Sequence, residues 1–96
     1  MIKASEAQAN VINYKVMQYN KVKEVADEIL ETMSKSIEYH SRNGFNSADF
    51  MPYGKSQFPC EQALQTASEI FEKVFMSNGY EIVKNDWQNN ILKIKW

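Results

Sequence analysis

The amino-acid sequence predicts an α+β fold: a long N-terminal helix and a second helix packed on a small, mainly antiparallel sheet, in the order α-β-α-β-β. Three observations lead there. Apolar residues recur every three or four positions from Ala9 to Ile37, with neither Pro nor Gly before Gly44. A second run with the same period follows Pro59. The last residues alternate instead, with Leu92, Ile94 and Trp96 set between Lys93 and Lys95, the period of a strand with one buried and one wet face.

Helix 1 is expected over about residues 5–43. Ser5-Glu6-Ala7-Gln8 has the form of a capping box, in which a hydroxyl and an amide side chain each satisfy a backbone N–H of the first turn. The stripe then runs Ala9, Ile12, Val16, Tyr19, Ala26, Leu30, Met33 and Ile37, interrupted by Lys23 and widened by Val22, Val25 and Ile29. Asn43-Gly44 ends it, because glycine takes the left-handed conformation that closes a helix. An uninterrupted helix of that length is about 57 Å long at 1.5 Å per residue. A compact domain of this size is only about 35 Å across, so the helix must bend or project. A projecting half would expose Ala9, Ile12, Val16 and Tyr19 as an apolar strip that a second copy could cover, predicting a homo-oligomer.

Residues 45–58 mix aromatic residues with turn formers and read as a short strand near Phe45 to Met51 followed by a loop around Pro52 and Gly54. Phe45, Phe50, Met51 and Phe58 are expected to close the core beneath it. Helix 2 is expected over about 59–77, opened by Pro59, with Cys60, Ala63, Leu64, Ala67, Ile70, Phe71, Val74 and Phe75 on one face, and stopped by Asn78-Gly79. Residues 80–96 read as a hairpin with a polar turn from Asn85 to Asn90.

The composition limits what this domain, residues 1–96, can be. A chain of 96 residues has room for one core, and buries about 60–65% of its potential surface. Five Phe, five Tyr and two Trp in a chain that is 44% hydrophobic and 24% charged argue for a folded state. The net charge of −1 supplies no overall field to attract nucleic acid or an anionic membrane. Both are disfavoured as partners. One cysteine makes no internal disulfide. The opening residues lack the apolar stretch of a signal peptide, and no run approaches the roughly 18 apolar residues of a membrane span. A cytoplasmic compartment is expected.

Catalytic and metal chemistry find little material. Gly54-Lys55-Ser56 echoes the end of a phosphate-binding loop, but Asp49 stands where that motif needs its first glycine. One His and one Cys fall short of the three or four ligands of a metal site, so no metal and no cofactor are expected. His40 continues the helix 1 stripe one heptad after Met33 and reads as a core-edge residue, while the register of Cys60 with Leu64 and Ala67 favours burial. Glu24, Asp27, Glu28 and Glu31 form a solvated helix face, with Glu31 and Lys35 spaced for an ion pair.

Two places suit binding. The first is the central loop, where Tyr53, Lys55 and Ser56 precede a helix N-terminus that can hold an anion, with Arg42, the only arginine, in reach. The second is the hairpin, where Lys84 and Trp87, with Lys93 and Lys95, combine charge with a ring face. Lysines on an edge strand also guard against aggregation.

The helix ending in Asn78-Gly79-Tyr80, the following Glu81-Ile82-Val83 and the terminal Ile91-Leu92-Lys93-Ile94-Lys95-Trp96 resemble small bacteriophage and prophage proteins. Ile2-Lys3-Ala4-Ser5-Glu6-Ala7 and the stretch from Ile37 to Gly44 are similar to that group as well. The resemblance implies a phage accessory product, a class that includes host-takeover and counter-defence proteins acting by binding. It assigns no functional residue. The expected function is non-enzymatic: an oligomeric phage-like protein that binds, inhibits or sequesters a host protein or a small anionic signalling molecule. A structural protein using the long helix for subunit contacts, and a nucleic-acid-binding module using the hairpin, are the alternatives.

Overall fold

The first helix, α1, runs unbroken from Ala4 to Arg42, 39 residues, in a computed structural model that describes all of Met1–Trp96. It starts one residue before the predicted position, and Ser5 lies inside it. Lys3 occupies the cap position and no side chain bonds to the first-turn N–H groups, so the predicted capping box does not form. The remaining elements are β1 (Ser47–Phe50), α2 (Glu61–Ser77), β2 (Glu81–Asp86) and β3 (Ile91–Lys95). The order α-β-α-β-β and the all-antiparallel pairing agree with the prediction.

Both helices end on the same device. Asn43 and Asn78 each turn a side-chain amide back onto the carbonyl four residues earlier, Tyr39 and Val74. Gly44 and Gly79 follow with φ of +87° and +85°. Phe45 N–H then donates to the His40 carbonyl and Tyr80 N–H to the Phe75 carbonyl, each at 3.0 Å. These are the long bonds of a Schellman motif, and the rings of Phe45 and Tyr80 pack on those of His40 and Phe75 as its apolar closure.

The sheet has the strand order β1-β3-β2, with β3 antiparallel to both neighbours. β1 and β2 therefore run parallel to each other, joined by α2 crossing one face. The two helices are also parallel: Trp96 N–H bonds the Asn46 carbonyl beyond the end of α1, and Trp96 meets Tyr80, which meets Phe75 near the end of α2. Both helices thus cover one face of the sheet.

That inner face follows from the register. Ala48 and Phe50 on β1 pair with Ile94 and Leu92, which pair in turn with Ile82 and Asn85 on β2. A bulge between Ile82 and Lys84 leaves Val83 unpaired and exposed. It allows Ile82 and Asn85, three apart in sequence, to face the same way. Phe58, Phe71, Leu92 and Ile94 are the large side chains sealed at the centre, joined by Ala67 from α2 and by Ala26, Met33 and Ile37 from α1.

Four local expectations need correction. Helix 2 begins at Glu61 rather than Pro59, because Gln57 and Phe58 first donate back to the Gly54 carbonyl and close a turn. Cys60 is consequently the exposed cap residue of α2, not a buried member of its apolar face. The strand β2 continues through Asn85 and Asp86, which the sequence reading gave to the turn. Of the aromatic residues expected to close the core, Phe58 is sealed and Phe50 half-buried, while Phe45 and Met51 are exposed.

The long helix does not bend onto the body. The first buried residue along the chain is Val22, and the molecule extends 64 Å along its longest axis against 24 and 18 Å across. Its radius of gyration is 16.5 Å, where a compact chain of this length has about 12.5 Å. No helix is long and apolar enough to cross a membrane.

Candidate binding surfaces

Three surfaces carry the sequence-predicted site residues, and they lie on different parts of the molecule. The N-terminal half of α1 holds the predicted interface residues Ala9, Ile12, Val16 and Tyr19, all exposed. Ile12 keeps 60% of its surface, Val16 53% and Tyr19 50%. Where α1 and α2 form the body, side chains at equivalent helical spacing are buried, so this half is apolar because of its sequence and uncovered because no other element reaches Ala9, Ile12 or Val16, while Tyr19 stands at the edge of a groove against the first turns of α2. Val11 and Tyr14, also exposed, flank a groove of about 560 Å³ between α1 and the first turns of α2, floored by Ala63 and Val22.

The central loop forms a second cavity, about 530 Å³, that gathers Tyr53, Lys55 and Trp87 with Leu64, Glu61 and Asn90. Its charges are one lysine and one glutamate, so it has no net attraction for an anion. The Tyr53 ring is not free to meet a ligand, being only 3% exposed. Its backbone N–H donates to Asn90 Oδ1 at 2.7 Å and its hydroxyl to Asn85 Oδ1, while Asn85 Nδ2 donates to the Ser68 carbonyl at 3.3 Å. Burial pushes the Tyr53 phenol up to about 12, outweighing the opposing influence of the polar Ser68 and Asn85 side chains; the negative charge of Glu72 adds to the rise. This network ties the loop, α2 and the hairpin together, and every buried side-chain polar atom in the protein has a partner. Ser56 is exposed on the turn but does not line the cavity.

Arg42 does not join this loop. It ends α1 and pairs with Glu38 one turn back, at the opposite end of β1 from Tyr53 and Lys55. Lys84 stands on the outer face of the sheet, away from Trp87, which follows the end of β2. There Lys84, Lys93 and Lys95 are interleaved with acids: Asp49 pairs with Lys93 at 3.8 Å, and Glu81 stands opposite Lys95. The face is charged but balanced, and the Asp86 carboxyl at its edge is held below the usual range by hydrogen bonds from Asn89.

The single histidine and cysteine are far apart. His40 sits half-buried near the end of α1, donating from Nδ1 to the Ser36 carbonyl at 2.6 Å, whereas Cys60 caps the start of α2 beside Tyr14. No group of three His, Cys, Asp or Glu side chains is placed to hold a metal ion. The acidic face of α1 is exposed as its spacing implied, with Glu31 and Lys35 paired at 3.7 Å and Asp27 and Lys23 at the same distance. Sequence reasoning missed Asn85 and Ser68 because their roles depend on Tyr53, distant in the chain. Compared with family models, curated proteins and solved structures, the chain has no significant match.

Proposed function

We propose that this protein is a non-enzymatic accessory protein of the bacteriophage type, which oligomerises through the N-terminal half of α1 and acts by binding, inhibiting or sequestering a host component, as counter-defence products do. The observation that carries the reading is the projecting half-helix itself. Val11, Ile12, Tyr14, Val16, Met17 and Tyr19 are each at least half exposed on a segment the body leaves uncovered. Water disfavours such a cluster, and a protein partner covers it most simply. The one histidine and the one cysteine lie apart, and His40 Nδ1, although 3.3 Å from the Ser36 hydroxyl, donates its proton to the Ser36 carbonyl at 2.6 Å and so is not free to act as a base toward that hydroxyl. A host protein would meet the oligomer at the central loop or at surfaces formed on assembly, and a small anionic molecule at the latter, since the lysine and glutamate of the loop cavity balance.

An assembly protein whose long helix makes only subunit contacts would display the same strip. The two differ in whether the oligomer holds a second kind of molecule, which native mass spectrometry of protein from a phage-infected lysate reads directly. The self-association common to both is tested by light scattering behind size exclusion. At tens of micromolar the mass should be at least twice 11.2 kDa, and Val16→Asp should shift it toward monomer while the circular dichroism stays helical. A monomeric wild-type protein at that concentration would overturn the reading.

A further inference from the structure

We infer that the partner of the projecting half-helix is the same segment of a second copy, lying antiparallel, with Ile12 of one copy opposite Val16 of the other about a two-fold axis. The inference rests on the proposed self-association and goes on to its geometry. In α1 the positions Ala9, Ile12, Val16, Tyr19, Lys23 and Ala26 fall at alternating spacings of three and four, one continuous seam of heptad type. From Ala26 onward the seam is occupied by the protein's own core; before Val22 it is bare.

Three features of that seam choose a second copy and its direction. First, side-chain sizes are self-complementary when the segment is reversed. Setting Ile12 against the partner's Val16 places Ala9 against the partner's Tyr19, so the smallest side chain meets the largest and similar ones meet at the centre. A parallel pair would set Tyr19 against the partner's Tyr19 and leave Ala9 facing the partner's Ala9. Second, charge follows the same choice. Lys23 is the one charged residue on the seam; antiparallel, it lies opposite the partner's Ser5 and beside the partner's Glu6, whereas a parallel pair brings it against the partner's Lys23. Two lysines in register disfavour association and a lysine near a carboxylate supports it. Third, the lengths agree. The antiparallel overlap, Ser5 to Lys23, is about 19 residues or 28 Å at 1.5 Å per residue, about five turns, and brings every seam residue from Ser5 to Lys23 against the partner. It ends where each copy's own core begins, at Val22. An isologous contact of this kind closes at two subunits, with the bodies at opposite ends of the pair.

The test is disulfide trapping with Ile12→Cys and Val16→Cys as separate proteins, both carrying Cys60→Ser to remove the native thiol. Both positions are exposed, so the variants retain the fold, which far-ultraviolet circular dichroism checks. Across an antiparallel pair each introduced thiol faces the other variant's position. Its own symmetry mate is offset by four residues, about 6 Å along the axis, in addition to the separation between helices, and so lies beyond disulfide reach. Oxidation of the equimolar mixture should give a cross-linked heterodimer as the main product, with each variant alone remaining mostly unlinked. Efficient linking of each variant alone would mean parallel helices, and no linking in the mixture would mean a different interface; either overturns the inference. Light scattering on the unmodified protein separates these outcomes from failure of self-association itself, since a wrong register leaves the mass dimeric.

Discussion

Tyr53 is the residue on which the loop, the second helix and the hairpin converge. Its ring touches Phe71, its hydroxyl satisfies Asn85, and its N–H is held by Asn90. Removing the hydroxyl in Tyr53→Phe leaves the half-buried Asn85 oxygen without its donor, and should destabilise the protein by about 0.5–1.5 kcal/mol in denaturant titration. The same residue sets an alkaline limit. Its phenol titrates near the ordinary 10 when unfolded and is pushed up to about 12 in the fold, so the folded state favours the protonated form. Its contribution is therefore complete below pH 10 and is lost as the pH rises toward 12. Stability measured across that interval should fall in the wild type and fall less steeply in Tyr53→Phe. The two capping glycines make a second residue-scale case. A Cβ at Gly44 or Gly79 meets nothing within 4 Å, so substitution by alanine carries only the strain of a positive φ, about 1 kcal/mol for each and additive in the double variant. A much larger loss, read by thermal melting, would mean that the caps do more than end their helices.

At the scale of elements, α1 is two helices in one. From Val22 to Arg42 it is a packed helix whose Ala26, Met33 and Ile37 are sealed against the core. From Ala4 to Lys21 it is a segment with no buried residue. Helical stability in proteins comes mostly from packing of an apolar face rather than from propensity, so this half, which buries no such face, depends on its covalent continuation into the packed half and, on the antiparallel inference, on its partner. Deleting Met1–Asn20 removes no buried side chain. The shortened chain should still unfold cooperatively, with a loss of about 1 kcal/mol or less, or within about 4–8 °C in Tm for a domain of this size, and should elute as a monomer at concentrations where the full chain does not. Loss of the folded body on deletion would show that the projecting half supports it. The sheet obeys a simpler rule: Leu92 and Ile94 inside, Lys93 and Lys95 outside, with the one departure, the bulge at Val83, placed where a polar Asn85 must turn inward to reach Tyr53.

At the scale of the whole molecule, the element order, the two helices and the alternating last strand were legible in the sequence, because each rests on local periodicity and on Asn-Gly stops that act through neighbouring backbone alone. The arithmetic of helix length against domain size also anticipated that α1 must bend or project. Where sequence reasoning departed from the structure, the missing information was non-local. Cys60 has the spacing of a core residue, yet the turn at Gly54 delays α2 until Glu61 and leaves it at the surface. Arg42 and Lys55 stand 13 positions apart in the chain, and β1 runs between them, so they end on opposite ends of the sheet. Asn85 reads as a turn residue until Tyr53 is placed against it. Periodicity and turn chemistry are properties of consecutive residues, and those the sequence by itself determined: which segments are helix or strand and which face of each is apolar. Which apolar face finds cover, which polar residue finds a partner and which half of α1 is left in water depend on where distant segments pack, and only the tertiary structure decided them.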